Sequence, residues 1–184
     1  MKKFVALCVM GLIVSACQFA SAADLKSGLQ IDDFPAPFNV TDVTGPLAGK
    51  KLCYRCQYGE RPVVSIFVRK MDENTAKLVK QLDEVVGKQK EKKMAAFVTV
   101  LSDDPDAQEA SLKKTAEEQK ITHTPLTVFD NGVGPKAYNI NEKANVTVMR
   151  WVDGNVMVNH AFAAGDLTDE AIAKVIEDTA KILN

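Results

Sequence analysis

The sequence predicts an α/β fold, a mixed sheet flanked by helices on both faces. Three observations predict it. Val63–Val68 and Ala95–Leu101 are short apolar runs separated by a stretch with helical spacing, which implies a crossover between parallel strands. Val146–Val152 and Asn155–Phe162 are joined through Asp153-Gly154, a hairpin signal that adds an antiparallel edge. A capped, apolar-striped helix follows at the C-terminus.

The 184 residues are 46% hydrophobic and 26% charged, which excludes a wholly disordered, collagen-like or polytopic membrane chain. The 23 Lys+Arg nearly balance 24 Asp+Glu, so no field of one sign steers the chain toward nucleic acid.

The elements follow in order. Met1-Lys2-Lys3 is a basic start, Phe4–Val14 an uncharged apolar run too short to span a bilayer as a helix, and Ala20-Ser21-Ala22 an A-x-A cleavage site. Residues 1–22 therefore read as a bacterial-type export signal, and the mature protein as periplasmic or secreted. Val14-Ser15-Ala16-Cys17 also matches a lipobox, and in that alternative Cys17 carries a lipid anchor. Removal of residues 1–22 leaves 21 basic against 24 acidic residues, and Cys53 and Cys56 as the only thiols.

Residues 23–37, with two prolines and few large apolar side chains, read as an extended leader to a single domain over 38–184. Phe38–Val43 alternates like a short strand ended by Gly45-Pro46, and Gly49–Arg61 reads as a loop or short hairpin holding both cysteines. Val63–Val68 is apolar throughout, as a strand covered on both faces must be. Asp72 caps a helix with a stripe of Leu78, Val79, Leu82, Val85 and Val86, and Lys88–Lys93 gives its end a solvated basic face. A second helix starts between Asp103 and Asp106 and runs to about Lys120. Leu126–Phe129 is the next strand and Asp130-Asn131-Gly132 turns the chain. Thr168 caps the last helix, whose stripe is Ile172, Val175, Ile176, Ile182 and Leu183.

The element order, Cys53-Tyr54-Arg55-Cys56 in an exported chain, Thr124-Pro125 ahead of Leu126–Phe129, and the terminal hairpin plus helix together resemble the thioredoxin fold, and more narrowly an extracytoplasmic redoxin. The resemblance covers about Phe38 to Leu183. It implies that the Thr124–Pro125 peptide is cis and lies against the redox cysteines, X-Pro being the one bond at which cis is cheap. It also exposes a departure. In thioredoxins the C-x-x-C follows the central strand and opens a helix, whereas here the pair precedes Val63–Val68 and Arg69–Asn74 contains no cysteine. The peroxidatic cysteine of peroxiredoxins also sits after that strand, which argues against peroxidase activity.

Two cysteines with two residues between them support thiol–disulfide exchange with a protein partner: one thiolate attacks and the other resolves the mixed disulfide. Lys50, Lys51, Arg55 and Arg61 surround the pair in sequence and would favour thiolate, with Cys53 first to attack by the usual order. No organic cofactor is called for. Two alternatives stand beside this reading. The bond is structural in a non-catalytic binding module; so small a ring removes about 2 kcal/mol of unfolded-chain entropy. Or the thiols handle Cu(I) or zinc, for which His123 and His160 complete the inventory of soft and borderline ligands. Haem attachment is out, because Gln57 and not His follows Cys56. No G-x-S-x-G elbow or carboxylate pair supports hydrolase chemistry. His123 has a simpler role in a turn, His160 within a sheet, and no metal site is assigned.

Overall fold

The computed structural model describes residues 25–183; the export signal, the Ala23 start and the Cys17 lipobox lie outside them. One sheet of seven strands organises the chain: β1 Val40–Asp42, β2 Lys51–Leu52, β3 Val63–Val68, β4 Ala95–Leu101, β5 Leu126–Phe129, β6 Ala144–Val152 and β7 Asn155–Ala163. Their spatial order is β2-β1-β5-β4-β3-β6-β7. β3, β4 and β5 run parallel, and every other pairing is antiparallel. The hairpin turn holds Asp153 and Gly154 both at positive φ, the backbone that a two-residue turn between right-twisted strands requires.

The central strands β3 and β4 are buried at every residue, so their even and odd positions feed two cores. Val64, Ile66, Val68, Ala96, Val98 and Val100 face the long helices α2 (Glu73–Lys88), α3 (Pro105–Gln119) and α4 (Asp169–Glu177). From these come Leu78, Val79, Leu82, Leu112, Ile172 and Val175. Each helix starts where a side chain replaces missing backbone partners. Asp72 accepts from the Thr75 N–H at 2.9 Å, Asp104 from Ala107 at 3.3 Å and Thr168 from Ala171 at 3.2 Å.

The opposite face is covered differently. Val63, Phe67, Phe97, Met149 and Trp151 meet the five-residue helix α1 (Tyr54–Tyr58), a 3₁₀ turn at Lys136–Tyr138, and the N-terminal extended segment. Helices thus lie on both faces, but very unequally. The leader is a packed strap. The Asp32 N–H donates to Val156 O at 2.9 Å and the Val156 N–H to Asp33 O at 3.0 Å, the Ser27 and Thr147 hydroxyls share a 2.6 Å bond, and Leu29 is buried. Gly28 has φ +78, and a Cβ there would sit 2.8 Å from Met149 Sδ and Thr147 Cγ2, so only glycine lets the strap lie this close.

A candidate redox site at a short buried-edge helix

Where the composition reads as a loop, Gly49–Arg61 forms β2 and α1, so the cysteine pair does open a helix, one placed before β3. Cys53 is its N-cap, with Sγ accepting the Cys56 N–H at 3.0 Å. The two cysteines are joined by a disulfide.

The two residues between them decide how the pair is held. Tyr54 is 2% exposed, its ring stacked 5.5 Å from Phe97 and tilted against Tyr58 at 5.2 Å. Its hydroxyl donates to Asp42 Oδ2 at 2.9 Å. Asp42, fully buried, also accepts the N–H groups of Gly45 at 2.7 Å and Leu47 at 2.9 Å. Arg55 is buried too. Its Nε donates to Pro35 O at 3.0 Å, Nη1 to Gly59 O at 3.2 Å, and its guanidinium lies 4.9 Å from the centre of the Phe34 ring. Tyr54 thus ties the site to the sheet edge and Arg55 ties it to the strap. Sequence reading did not foresee the Asp42 anchor, although an aspartate ahead of Gly45-Pro46 is a signal for a side chain that organises a turn.

These contacts redirect the expected cations. Arg55 spends its donors on two carbonyls. Arg61 donates to Tyr58 O at 3.1 Å and Gln57 O at 3.3 Å, with its guanidinium 4.8 Å from the Tyr58 ring centre. Lys51 pairs with Asp130 at 3.2 Å on the surface. Burial pushes the phenols of Tyr54 and Tyr58 above their ordinary range, Asp42 adding to the effect on Tyr54, so both remain neutral donors.

Thr124 and Pro125 are buried ahead of β5, but the peptide between them is not cis: the described residues contain no cis peptide bond. That corrects the expectation drawn from the resemblance. Its physical reason is the strand that follows: β5 is parallel to β4 and Pro125 O already accepts the Val98 N–H at 2.9 Å, so the chain enters the sheet extended with no sharp turn to close. What meets the segment after the central strand is β6. The Arg69 N–H donates to Asn145 O at 2.9 Å and the Lys70 N–H to Asn145 Oδ1 at 3.0 Å, while the Arg69 guanidinium holds the carbonyls of Ala144, Gly132 and Asn141. The position at which thioredoxins carry their thiols is here a carbonyl clamp. Thr124 and Pro125 still approach the cysteine helix indirectly, across a cavity of about 450 Å³ shared by Tyr58, Thr44–Pro46 and Ile121–Pro125. Neither cysteine lines it.

The histidines are dispersed. His123 is exposed and its ring crowds Gly87 of α2, while its backbone N–H donates to Asp83 at 2.7 Å. His160 lies on β7, with Nε2 3.1 Å from Asp178 Oδ2. Among the described residues no three His, Cys, Asp or Glu side chains converge as a metal site, and no helix is long and apolar enough to cross a membrane.

No known family profile matches the chain, and no curated protein matches it. Solved structures do. A candidate protein disulfide isomerase from Bacteroides thetaiotaomicron superposes with a TM-score of 0.65 at 13% identity, over 86% of this chain and 94% of that one. The thioredoxin domain of a thiol-disulfide oxidoreductase from Bacteroides vulgatus gives 0.60 at 14%, over 85% and 99%. An exposed lipoprotein thioredoxin from Streptococcus pneumoniae gives 0.52 at 18%, over 78% and 99%. The fold is thioredoxin-like, with a C-x-x-C pair displaced to the start of the preceding helix.

Proposed function

We propose that this thioredoxin-like chain is an extracytoplasmic thiol–disulfide oxidoreductase working through Cys53 and Cys56. The observation that carries the proposal is a disulfide at the first turn of a helix whose second cysteine, Cys56, is exposed to solvent. A bond in that position is within reach of a partner protein's thiolate. Exchange then moves two electrons: a partner dithiol becomes a disulfide while Cys53–Cys56 becomes a dithiol, through one mixed disulfide. Tyr54 and Arg55 hold the helix through contacts that do not involve either sulfur, which supports exchange without unfolding the edge of the sheet. The basic-apolar-small order of residues 1–22 supports export, and an exposed lipoprotein thioredoxin among the structural neighbours fits the Cys17 alternative.

The second reading, a structural bond in a binding module, draws on the same anchors: Cys53 is half-buried and its neighbours are pinned. Equilibration of the purified protein with glutathione redox buffers separates the two. The exchange reading expects a reduction potential in the range of glutaredoxins and protein disulfide isomerase, about −180 to −230 mV. A value below about −300 mV would make the bond a structural one and overturn the enzymatic reading.

A further inference from the structure

Resting on the exchange reading, we infer that the roles of the two cysteines are reversed relative to the usual order: Cys56 is the sulfur that a partner attacks and the first nucleophile of the reduced protein, and Cys53 is the resolving thiol. Three features of the site lead there. The exposures differ, Cys56 being open to solvent and Cys53 half-covered. The covering is built in, since Cys53 sits between Leu52, buried in the sheet edge, and Tyr54, anchored on Asp42. Cys56, by contrast, is followed by exposed Gln57. And the Cys56 N–H points at Cys53 Sγ, 3.0 Å away, so negative charge arriving on Cys53 meets a donor already in place.

The chemistry follows from that asymmetry. A partner thiolate attacks Cys56 Sγ and forms a partner–Cys56 disulfide. The Cys53–Cys56 bond breaks and its electron pair leaves on Cys53 Sγ, where the Cys56 N–H stabilises the thiolate. A better-stabilised leaving thiolate departs faster, so access and leaving-group stability favour the same sulfur. A second partner thiolate then attacks the partner sulfur and releases Cys56. In the opposite direction the Cys56 thiolate attacks a partner disulfide, and Cys53 resolves the adduct by attacking Cys56 Sγ. Attack at Cys53 instead would need the partner to reach the half-covered cysteine and would release Cys56 thiolate, whose Sγ, unlike Cys53 Sγ, accepts no hydrogen bond among the described residues. Cys53 was the residue that sequence order favoured; the fold turns the other one outward.

The test uses the oxidised wild-type protein. It is mixed with reduced glutathione, quenched in acid within the first turnover and mapped by mass spectrometry. Glutathione is expected on Cys56. Adduct chiefly on Cys53 would overturn the assignment while leaving the exchange reading intact. An intact bond with no adduct at a glutathione-buffered potential would remove the exchange reading itself and the assignment with it. As a second measurement, the Cys53→Ser protein is expected to form a mixed disulfide with oxidised glutathione about tenfold faster than Cys56→Ser, because its remaining thiol is the exposed one. Equal rates, or a faster Cys56→Ser protein, would count against it.

Discussion

The Tyr54–Asp42 bond is the contact whose removal tests most directly how the cysteine helix is held. Tyr54→Phe deletes one hydroxyl and keeps the ring, so the ring contacts with Phe97 and Tyr58 survive and no cavity opens. What is lost is a 2.9 Å hydrogen bond to a buried carboxylate, leaving Asp42 with only the Gly45 and Leu47 N–H donors. A bond to a charged partner contributes about 1.5–3 kcal/mol, with the upper end applying where the abandoned group cannot reach water. Asp42 is 0% exposed, so a loss near 2 to 3 kcal/mol is expected, about 4–12 °C in Tm for a domain of this size. Urea unfolding with the disulfide intact, read by fluorescence of the single tryptophan, Trp151, buried 6.2 Å from Phe97, gives the number. Asp42→Asn completes a double-mutant cycle, and a coupling of about 1.5 kcal/mol or more is expected between the two positions. A Tyr54→Phe protein within about 0.5 kcal/mol of wild type, the range of ordinary surface substitutions, would show that the bond does not anchor the helix.

Two further outcomes follow from the helix-covered side. Arg150 is buried beneath α4 with one nitrogen on Val175 O and with Nε and Nη1 unpartnered, and burial draws its pKa down to about 10. A buried charge without full hydrogen bonding carries a desolvation cost that an apolar side chain of similar reach does not, so Arg150→Met should not lower the urea midpoint; a marked loss would refute that reasoning. Burial first, and then the neighbouring Arg150 guanidinium, hold His160 below its ordinary pKa, against the opposing pull of Asp178. The unfolded chain therefore takes up this proton first as pH falls below about 6.5, and stability declines from there until the folded His160 also protonates. His160→Gln should flatten that decline between pH 7.5 and 5.5; an unchanged slope would refute it.

Much of this architecture is legible in linear order because it is local. The all-apolar runs of β3 and β4, the Asp72, Asp104 and Thr168 caps and the Asp153-Gly154 turn each depend on residues within a few positions of one another, so period and capping chemistry reveal them. The cysteine spacing likewise names its own chemistry: two sulfurs three residues apart can close a ring wherever the chain puts them.

The surroundings of that ring are a different matter. Asp42 reaches Tyr54 across 12 residues, Arg55 reaches Pro35 across 20, and the strap's Ser27 meets Thr147 across 120. No periodicity spans such gaps. Thr124-Pro125 shows the same limit from the other side: the dipeptide is visible in the sequence, yet whether it opens a strand antiparallel or parallel to its neighbour depends on sheet order. Residue types and spacing settled that this chain has a sheet, its helices and a closable sulfur pair. Long-range packing alone settled which cysteine is the more exposed and what pins the residues between them, because burial is a property of distant neighbours brought together and is written in no single segment.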